Sequence, residues 1–263
     1  KDDFDRQVFE KNLRDLMFIP FYLINFVQLF KKNGSLPERR AYIFSDLIDI
    51  SFNFDSSHYK FKNIQTEKAK ILNELKKIAL VMEFMGRQQL SELEIKKILG
   101  DENLNELIKS VGIIRKNGVN YEFIHNNFRE YLCALALSTK SFEIVESFFF
   151  IKNRISPKRV NVLSFLLSIS EKSNDLFHKI FEKISDEDLD VFLQIENDKI
   201  SQDNKNAIFK KIFLGYKKKK TFIERSAFNH RKLAYFGQSD EVTEFLINEI
   251  LTSDVTYSKR DAI

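Results

Sequence analysis

A histidine lies where a short strand is predicted to meet a helix, in the segment YEFIHNNFREYLCA at residues 121–134. Strand-forming residues precede His125, and apolar residues follow it at helical spacing, with Asn126 or Asn127 as the expected cap. A helix N-terminus offers unbonded N–H groups and a positive dipole end, so an imidazole there can help to hold a phosphate. The segment predicts a phosphate-binding corner at His125. The alternative is an ordinary helix-start histidine whose polar groups are satisfied by the backbone.

Catalytic and metal-binding motifs are absent from the sequence. It has no G-x-x-x-x-G-K-[ST] phosphate loop, no H-E-x-x-H, no G-x-S-x-G and no cysteine pair. The four histidines, His58, His125, His178 and His230, are scattered along the chain. We therefore expect neither a metal cluster nor a hydrolytic triad, and we predict that this chain is not an enzyme by itself.

Two stretches resemble motifs of one protein family. Residues 123–134, FIHNNFREYLCA, resemble the F-x-H-x-x-F-Q-E-Y-L-A-A signature that closes the winged-helix region of NACHT proteins, which are NLR-like signal-transduction NTPases of the STAND class. Residues 16–23, LMFIPFYL, followed by GSLP at 34–37, resemble the L-x-x-N-P-F-x-L … G-x-L-P pattern of the helical domain behind the NACHT ATPase core. Ile19 replaces the usual small or amide residue of the second pattern, and Arg129 replaces the glutamine of the first.

The resemblance implies a regulatory, non-catalytic portion of a nucleotide-driven switch. His125 matches the histidine that contacts the β-phosphate of bound ADP and holds the closed form, and Pro20 matches the proline that lies against the adenine. ADP or ATP would be bound mainly by the ATPase core of the same chain, with no cofactor expected for this part alone. The resemblance also implies opening and homo-oligomerisation on activation and, by analogy with bacterial relatives, a protein trigger and a role in antiviral defence.

Length and composition suit a cytoplasmic protein. The 263 residues contain no stretch of eighteen apolar residues and no signal peptide, so we expect no membrane partner. The single cysteine, Cys133, excludes an internal disulfide and fits a reducing compartment. Because the sequence begins at Lys1 without a methionine, we interpret it as a piece of a longer protein.

The small excess of basic over acidic residues is only a weak indication that the protein binds nucleic acid. The net charge is +4, but 42 basic and 38 acidic residues are interspersed, as on a solvated helical surface. The lysine run at 217–220 is predicted to be a solvated loop between helices; a nucleic-acid contact assisted by Tyr216 and Phe222 is the alternative. We do not expect nucleic acid to be a partner.

With only seven glycines, three prolines and few alternating segments, the chain predicts a mainly α fold. We divide it into a helical domain at 1–58, a winged helix with a small β-hairpin at 59–138, and stacked helix pairs at 139–263. The last region is either a HEAT-like repeat array or an irregular helical domain.

Individual elements follow from caps and periodicity. The first domain is predicted to have helices at 4–17, 20–31 and 37–50, with the second ending at Asn33-Gly34 and the periodicity failing over 52–62. The winged helix should contain helices at 67–85, 91–99 and 101–110, then two strands, 112–116 and 120–124, joined through Asn117-Gly118. In the third region, we expect helices to start at Ser156-Pro157, near 175, and at Ser185, Ser201 and Ser239.

The predicted helix at 101–110 would be the DNA-reading helix of a winged helix. It carries three acids and one base, whereas a reader of the major groove should neutralise phosphates with lysine and arginine. Two alternatives to the nucleotide switch nevertheless stay open. One is a winged-helix or helical-repeat regulator that binds nucleic acid, and the other is a constitutive protein-binding scaffold.

Overall fold

A computed structural model describes residues 2–10, 13–37, 40–58, 64–100, 112–151, 154–169, 179–180, 182–183, 189, 191–193, 200–223, 233–234 and 236–262. The fold is mainly helical, with two small antiparallel sheets among the described residues, which confirms the predicted class. The chain divides into two compact units, Lys1–Phe148 and Phe149–Ile263. The first unit contains both predicted N-terminal domains, and the division into three domains stays a prediction. In the described part of the chain, no helix is both long and apolar enough to span a membrane.

The first unit opens with four helices, α1 (Asp2–Glu10), α2 (Arg14–Met17), α3 (Pro20–Asn33) and α4 (Arg40–His58). The single helix predicted at 4–17 is wrong, because the chain leaves helical geometry at Leu13, with φ −99° and ψ 0°. Pro20 does open α3, and Gly34 ends it in the left-handed region at φ +74°, which glycine adopts without a Cβ clash. The helix that we expected to open at Pro37 is described from Arg40 onward, and it continues to His58 through much of the segment predicted to be a boundary.

The described elements in the middle of the unit follow the predicted order of helices and then a hairpin, with one strand added, and the winged-helix domain itself stays a prediction. Helix α5 (Ile64–Met85) is followed by β1 (Gln89–Ser91), α6 (Glu92–Leu99), β2 (Ile114–Asn117) and β3 (Asn120–Phe123). The hairpin through Asn117-Gly118 is confirmed, with Gly118 at φ +63°. The sheet has the order β1-β3-β2, and its register pairs Leu90 with Tyr121. Strand β1 was not predicted, because three residues are too short to show alternation. The helix predicted at 101–110 lies outside the described residues.

After the sheet, α7 (Asn126–Leu137) packs along α5, and α8 (Phe142–Phe149) follows it. Both helices carry apolar side chains with almost no exposure, among them Leu75, Ile78, Phe128 and Leu132. The predicted caps of α7 are wrong. His125 is the N-cap, and both asparagines lie inside the helix.

The second unit contains β4 (Phe150–Ile151), β5 (Arg154–Ile155), a 3-10 turn (Pro157–Arg159), α9 (Val160–Ile169), α10 (Gln202–Lys219), α11 (Asp240–Thr252) and α12 (Thr256–Ala262). Ser201 and Ser239 cap α10 and α11 as predicted, accepting from the N–H groups of Asn204 at 3.3 Å and Val242 at 3.2 Å. The helices expected near 175 and after Ser185 fall largely outside the described residues. Whether the unit is a repeat array stays a prediction.

The lysine run at 217–220 is helical, in contrast to the predicted loop. It forms the last turn of α10, and Lys220 closes the helix in the left-handed region at φ +51°. Lys217 reaches Glu249 on α11, with 2.8 Å between Nζ and a carboxylate oxygen. Cationic side chains at this position complement the negative end of the helix dipole.

The capping box predicted at the start of α6 is present and yields a pH test. Ser91 N–H donates to Glu94 at 2.8 Å, and this bond, with those from Arg87 and the serine hydroxyl, lowers the pKa of Glu94 to about 2 from 4.5. A lowered carboxyl pKa stabilises the fold above the unfolded value, and the stabilisation is lost as the pH falls from about 4.5 through about 2.

We expect Glu94→Gln to lower the free energy of unfolding at pH 7, and the difference from the unmodified chain to shrink as the pH falls from 4.5 towards 2. Urea unfolding, monitored by circular dichroism at several pH values, measures this difference in the free energy of unfolding. The exposed Glu244→Gln is the control, expected to cause little change. A deficit that is the same at pH 7 and at pH 3 would contradict this reading of the capping box.

Candidate functional site

His125 closes the junction between β3 and α7. Its backbone is extended, with φ −153° and ψ 144°, and its Nδ1 accepts the N–H of Asn127 at 3.2 Å. A nitrogen that accepts a hydrogen bond carries no proton, so in the neutral ring the proton resides on Nε2. The N-cap therefore sets the tautomer and leaves Nε2 as the donor nitrogen.

The ring of His125 is held by an aromatic cluster. Tyr22 of α3 meets it edge to face, with centroids 5.0 Å apart and an interplanar angle of 87°. Tyr22 also stacks on Phe128 of α7 at 6.0 Å and contacts Phe44 of α4 at 5.9 Å, and Phe44 meets Phe128 at 5.6 Å. Tyr22, Phe44 and Phe128 are fully buried. Tyr22, which packs against rings from two other helices, thus restricts the plane of the half-buried imidazole.

Pro20 lies on the same helix as the residue that contacts His125. It occupies the first turn of α3, after Ile19 in the extended conformation that a following proline favours. Its ring is exposed, as are its neighbours Phe18, Leu23 and Ile24, while Tyr22 points into the core. The two predicted site residues therefore belong to one packed body, joined through Tyr22.

Arg129, the residue that replaces the family's glutamine, makes a buried ion pair. Its Nε donates to Glu83 on α5 at 2.6 Å, and only 11% and 7% of the two side chains are exposed. A second guanidinium nitrogen donates to the side-chain oxygen of Asn126 at 3.2 Å. The arginine thus ties the first residue of α7, next to His125, to the long helix beneath it.

Polar groups of α4 surround the hydroxyl of Tyr131 on α7. Burial raises the pKa of Tyr131, a hydrogen bond with Ser45 opposes the rise, and the nearby carboxylates of Asp49 and Asp46 add to it. Burial and then Asp49 raise the pKa of Asp46, against the attraction of Lys32. Tyr131 is therefore kept as a neutral hydrogen-bonding anchor between the two helices.

The charges of the β-hairpin face other protein groups. Arg115 pairs with Glu122 at 2.7 Å, and Lys116 lies 3.2 Å from Glu92 on α6. Both bases of this hairpin thus lie beside carboxylates, which a phosphate backbone would have to displace. In the described parts of the chain, no group of three histidine, cysteine or acidic side chains is arranged to hold a metal ion.

Sequence reasoning missed two residues that build the site. Tyr22 stood inside the LMFIPFYL stretch, but spacing alone did not show that it reaches His125. Glu83 directly follows the apolar stripe of α5. An acid next to buried positions was the one sign in the sequence that this carboxylate needs a buried partner. Its partner lies 46 residues later, beyond the reach of any local pattern.

No protein-family model matches this chain, and no curated protein matches it. The NACHT-like interpretation therefore rests on the motif residues and stays a prediction.

Removing Arg129 should expose the cost of an unpaired buried charge. Arg129→Gln leaves Glu83 buried without its cation, and we expect a loss of about 3–5 kcal/mol in the free energy of unfolding. Adding Glu83→Gln removes the stranded charge and should restore most of the loss. A double-mutant cycle by urea unfolding measures the coupling.

The exposed pair Lys96–Glu92 provides the control for this cycle. Lys96→Gln should cost less than about 1 kcal/mol, because water screens an exposed pair. If the losses from Arg129→Gln and Glu83→Gln simply add, the two residues are not coupled, and the stabilising role of their ion pair is refuted.

Proposed function

We propose that this chain is the regulatory, non-catalytic portion of a NACHT-type STAND NTPase. In this proposal the first unit contacts ADP or ATP held mainly by an ATPase core of the same chain. His125 would donate to the β-phosphate, and Pro20 would lie against the adenine. The nucleotide state would then control opening and homo-oligomerisation, and these 263 residues would themselves carry out no chemistry.

The observation that supports this proposal best is the hydrogen bond that His125 Nδ1 accepts from the backbone of α7. Because Nδ1 accepts from the backbone of α7, Nε2 is the donor, and a donor beside a helix N-terminus suits a phosphate oxygen. The perpendicular ring of Tyr22 limits rotation of the imidazole. A phosphate contact made by this ring would therefore need little reorganisation.

The surroundings of Pro20 support the second contact. Phe18, which is 86% exposed, and Ile24, which is 56% exposed, lie with the proline on the outer side of the α3 N-terminus. Proline has no N–H to compete with the polar edge of a base, so its ring offers only apolar surface. An exposed apolar edge of this kind is suited to be covered by a nucleotide-carrying domain.

One hydrogen bond is enough to bias such a switch. A hydrogen bond to a charged group contributes about 1.5–3 kcal/mol. That amount moves a closed-to-open equilibrium by about one to two orders of magnitude. In this scheme loss of the His125 contact favours the open form without any catalytic role for the histidine.

The second unit follows the nucleotide-contacting unit in the chain. We assign it a scaffold or sensor role, with an invader-derived protein as the trigger and antiviral defence in the bacterial cytoplasm as the setting. This assignment is an analogy with the family that the motifs resemble.

A pair of substitutions in the parent protein tests the phosphate contact. His125→Ala removes both the cap and the donor, and we expect ADP release to accelerate by about one to two orders of magnitude. His125→Asn keeps a side chain that caps helices well but lacks the imidazole, so it should release ADP just as fast while retaining stability. Release of a fluorescent ADP analogue measures both variants, with thermal unfolding as the check on the fold.

Two results would refute the proposal. ADP release from both variants at the unmodified rate would remove His125 from the nucleotide site. Fast release from His125→Ala alone would assign the effect to the lost cap. A complementary test is to sequence the coding region upstream of Lys1 and search it for a phosphate loop. If no phosphate loop is encoded there, the ATPase core on which the proposal depends is missing.

A further inference from the structure

The lysines that end α10 lie beside the basic residues of α12. Arg260 places its guanidinium 4.7 Å from the ring centroid of Phe222, two residues beyond the end of the lysine run. Asp261 accepts the N–H of Ile223 at 3.0 Å, which fastens α12 to the same segment. Two groups of cations separated by about forty residues of sequence are therefore brought together. This basic cluster consists of the exposed residues Lys218, Lys219, Lys220, Lys259 and Arg260.

Two of the described carboxylates next to the cluster are bonded to other groups. Glu249 is buried and holds Lys217, which for that reason is not counted in the cluster. Asp261 is bonded to the backbone of Ile223. Asp254, in the turn before α12, is the exposed acid of this segment. Among the described residues of this segment, the five cations therefore outnumber the acids, which leaves a local excess of positive charge.

Helix dipoles explain part of this arrangement. Lysine and arginine are favoured in the last turn of a helix, and both sets of cations occupy such turns. That preference acts on each helix separately and does not require the two basic ends to converge. Like charges brought together repel and destabilise the fold. A polyanion that binds across both ends would reverse this repulsion.

Aromatic rings are interleaved with the cations. The Lys219 ammonium lies 5.9 Å from the ring centroid of Tyr216, and Arg260 covers a face of Phe222. Guanidinium planes and aromatic rings are the surfaces on which unpaired nucleobases stack, whereas the bases of a duplex are already stacked on one another. The combination fits a single strand better than a duplex or a lipid headgroup.

We propose that the basic cluster binds the phosphate backbone of single-stranded nucleic acid. The side chains make the contacts, because the carbonyl groups at the two helix ends would repel a phosphate. The sequence alone favoured a solvated loop here, and it did not show that α12 adds cations to the run. This site is independent of the nucleotide switch and of His125.

Salt dependence gives the proposal a numerical test. Each neutralised phosphate of a single strand contributes about −0.7 to the slope of log affinity against log salt, so five contacts predict a slope near −3.5. Replacing Lys218, Lys219 and Lys220 by glutamine should weaken binding at low salt and make the slope less negative by about 2. Fluorescence anisotropy of the 263-residue chain with a labelled single strand of about 16 nucleotides measures both quantities.

A matched triple variant distinguishes binding at the basic cluster from a general effect of the protein's net charge. Lys97→Gln, Lys140→Gln and Lys158→Gln remove the same charge from three exposed positions elsewhere, and this variant should bind as the unmodified chain does. Circular dichroism checks that both triple variants are folded.

Several results would overturn the proposal. They are no binding at low salt, an equal loss in the matched variant, or a duplex that binds as tightly as the single strand. Anionic phospholipid vesicles provide the last comparison. If the cluster is needed for binding vesicles but not the oligonucleotide, a membrane surface is the ligand and the nucleic-acid assignment is wrong.

Discussion

The first unit depends on the burial of α7 between its neighbours. From Asn127 to Ala134 every residue is buried, including polar and charged ones. A helix covered on all sides has almost no freedom to shift or rotate, because interiors are close-packed. Burying Arg129 would be costly without a partner, and the carboxylate of Glu83 supplies one. The position of the helix start, and therefore of His125, follows from this packing.

The aromatic cluster extends that constraint to the N-terminal helices. Tyr22, Phe44 and Phe128 come from three helices, and offset or edge-to-face contacts between rings specify geometry more closely than aliphatic contacts do. Pro20 and His125 are positioned by this one cluster, although 104 residues separate them. A switch that reads a nucleotide through both residues would need them to move as a single body, and the cluster provides that rigidity.

In the second unit, polar pairs near the surface join α10 to α11 beside a buried apolar core. Asn206 on α10 donates to Glu241 of α11 at 2.6 Å, Lys210 reaches the other oxygen of the same carboxylate, and Lys217 pairs with Glu249 two turns further on. These contacts set the register between two helices that are both rich in charge. They also use some lysines for structure and leave the cations at the helix ends exposed, which is the basis for treating those ends as a binding surface.

Local chemistry in the sequence determined much of the fold. Gly34, the Ser91–Glu94 capping box, the Asn117-Gly118 turn and the caps at Ser201 and Ser239 each act within a few residues, so each was readable in advance. The break at Leu13, the three-residue β1 and the choice of His125 as a cap were missed, because competition between neighbouring groups decided them. The tertiary structure alone joined Tyr22 to His125, Arg129 to Glu83 and α12 to the lysine run. Those contacts span tens of residues, and their energies depend on burial and distance, which no local pattern encodes.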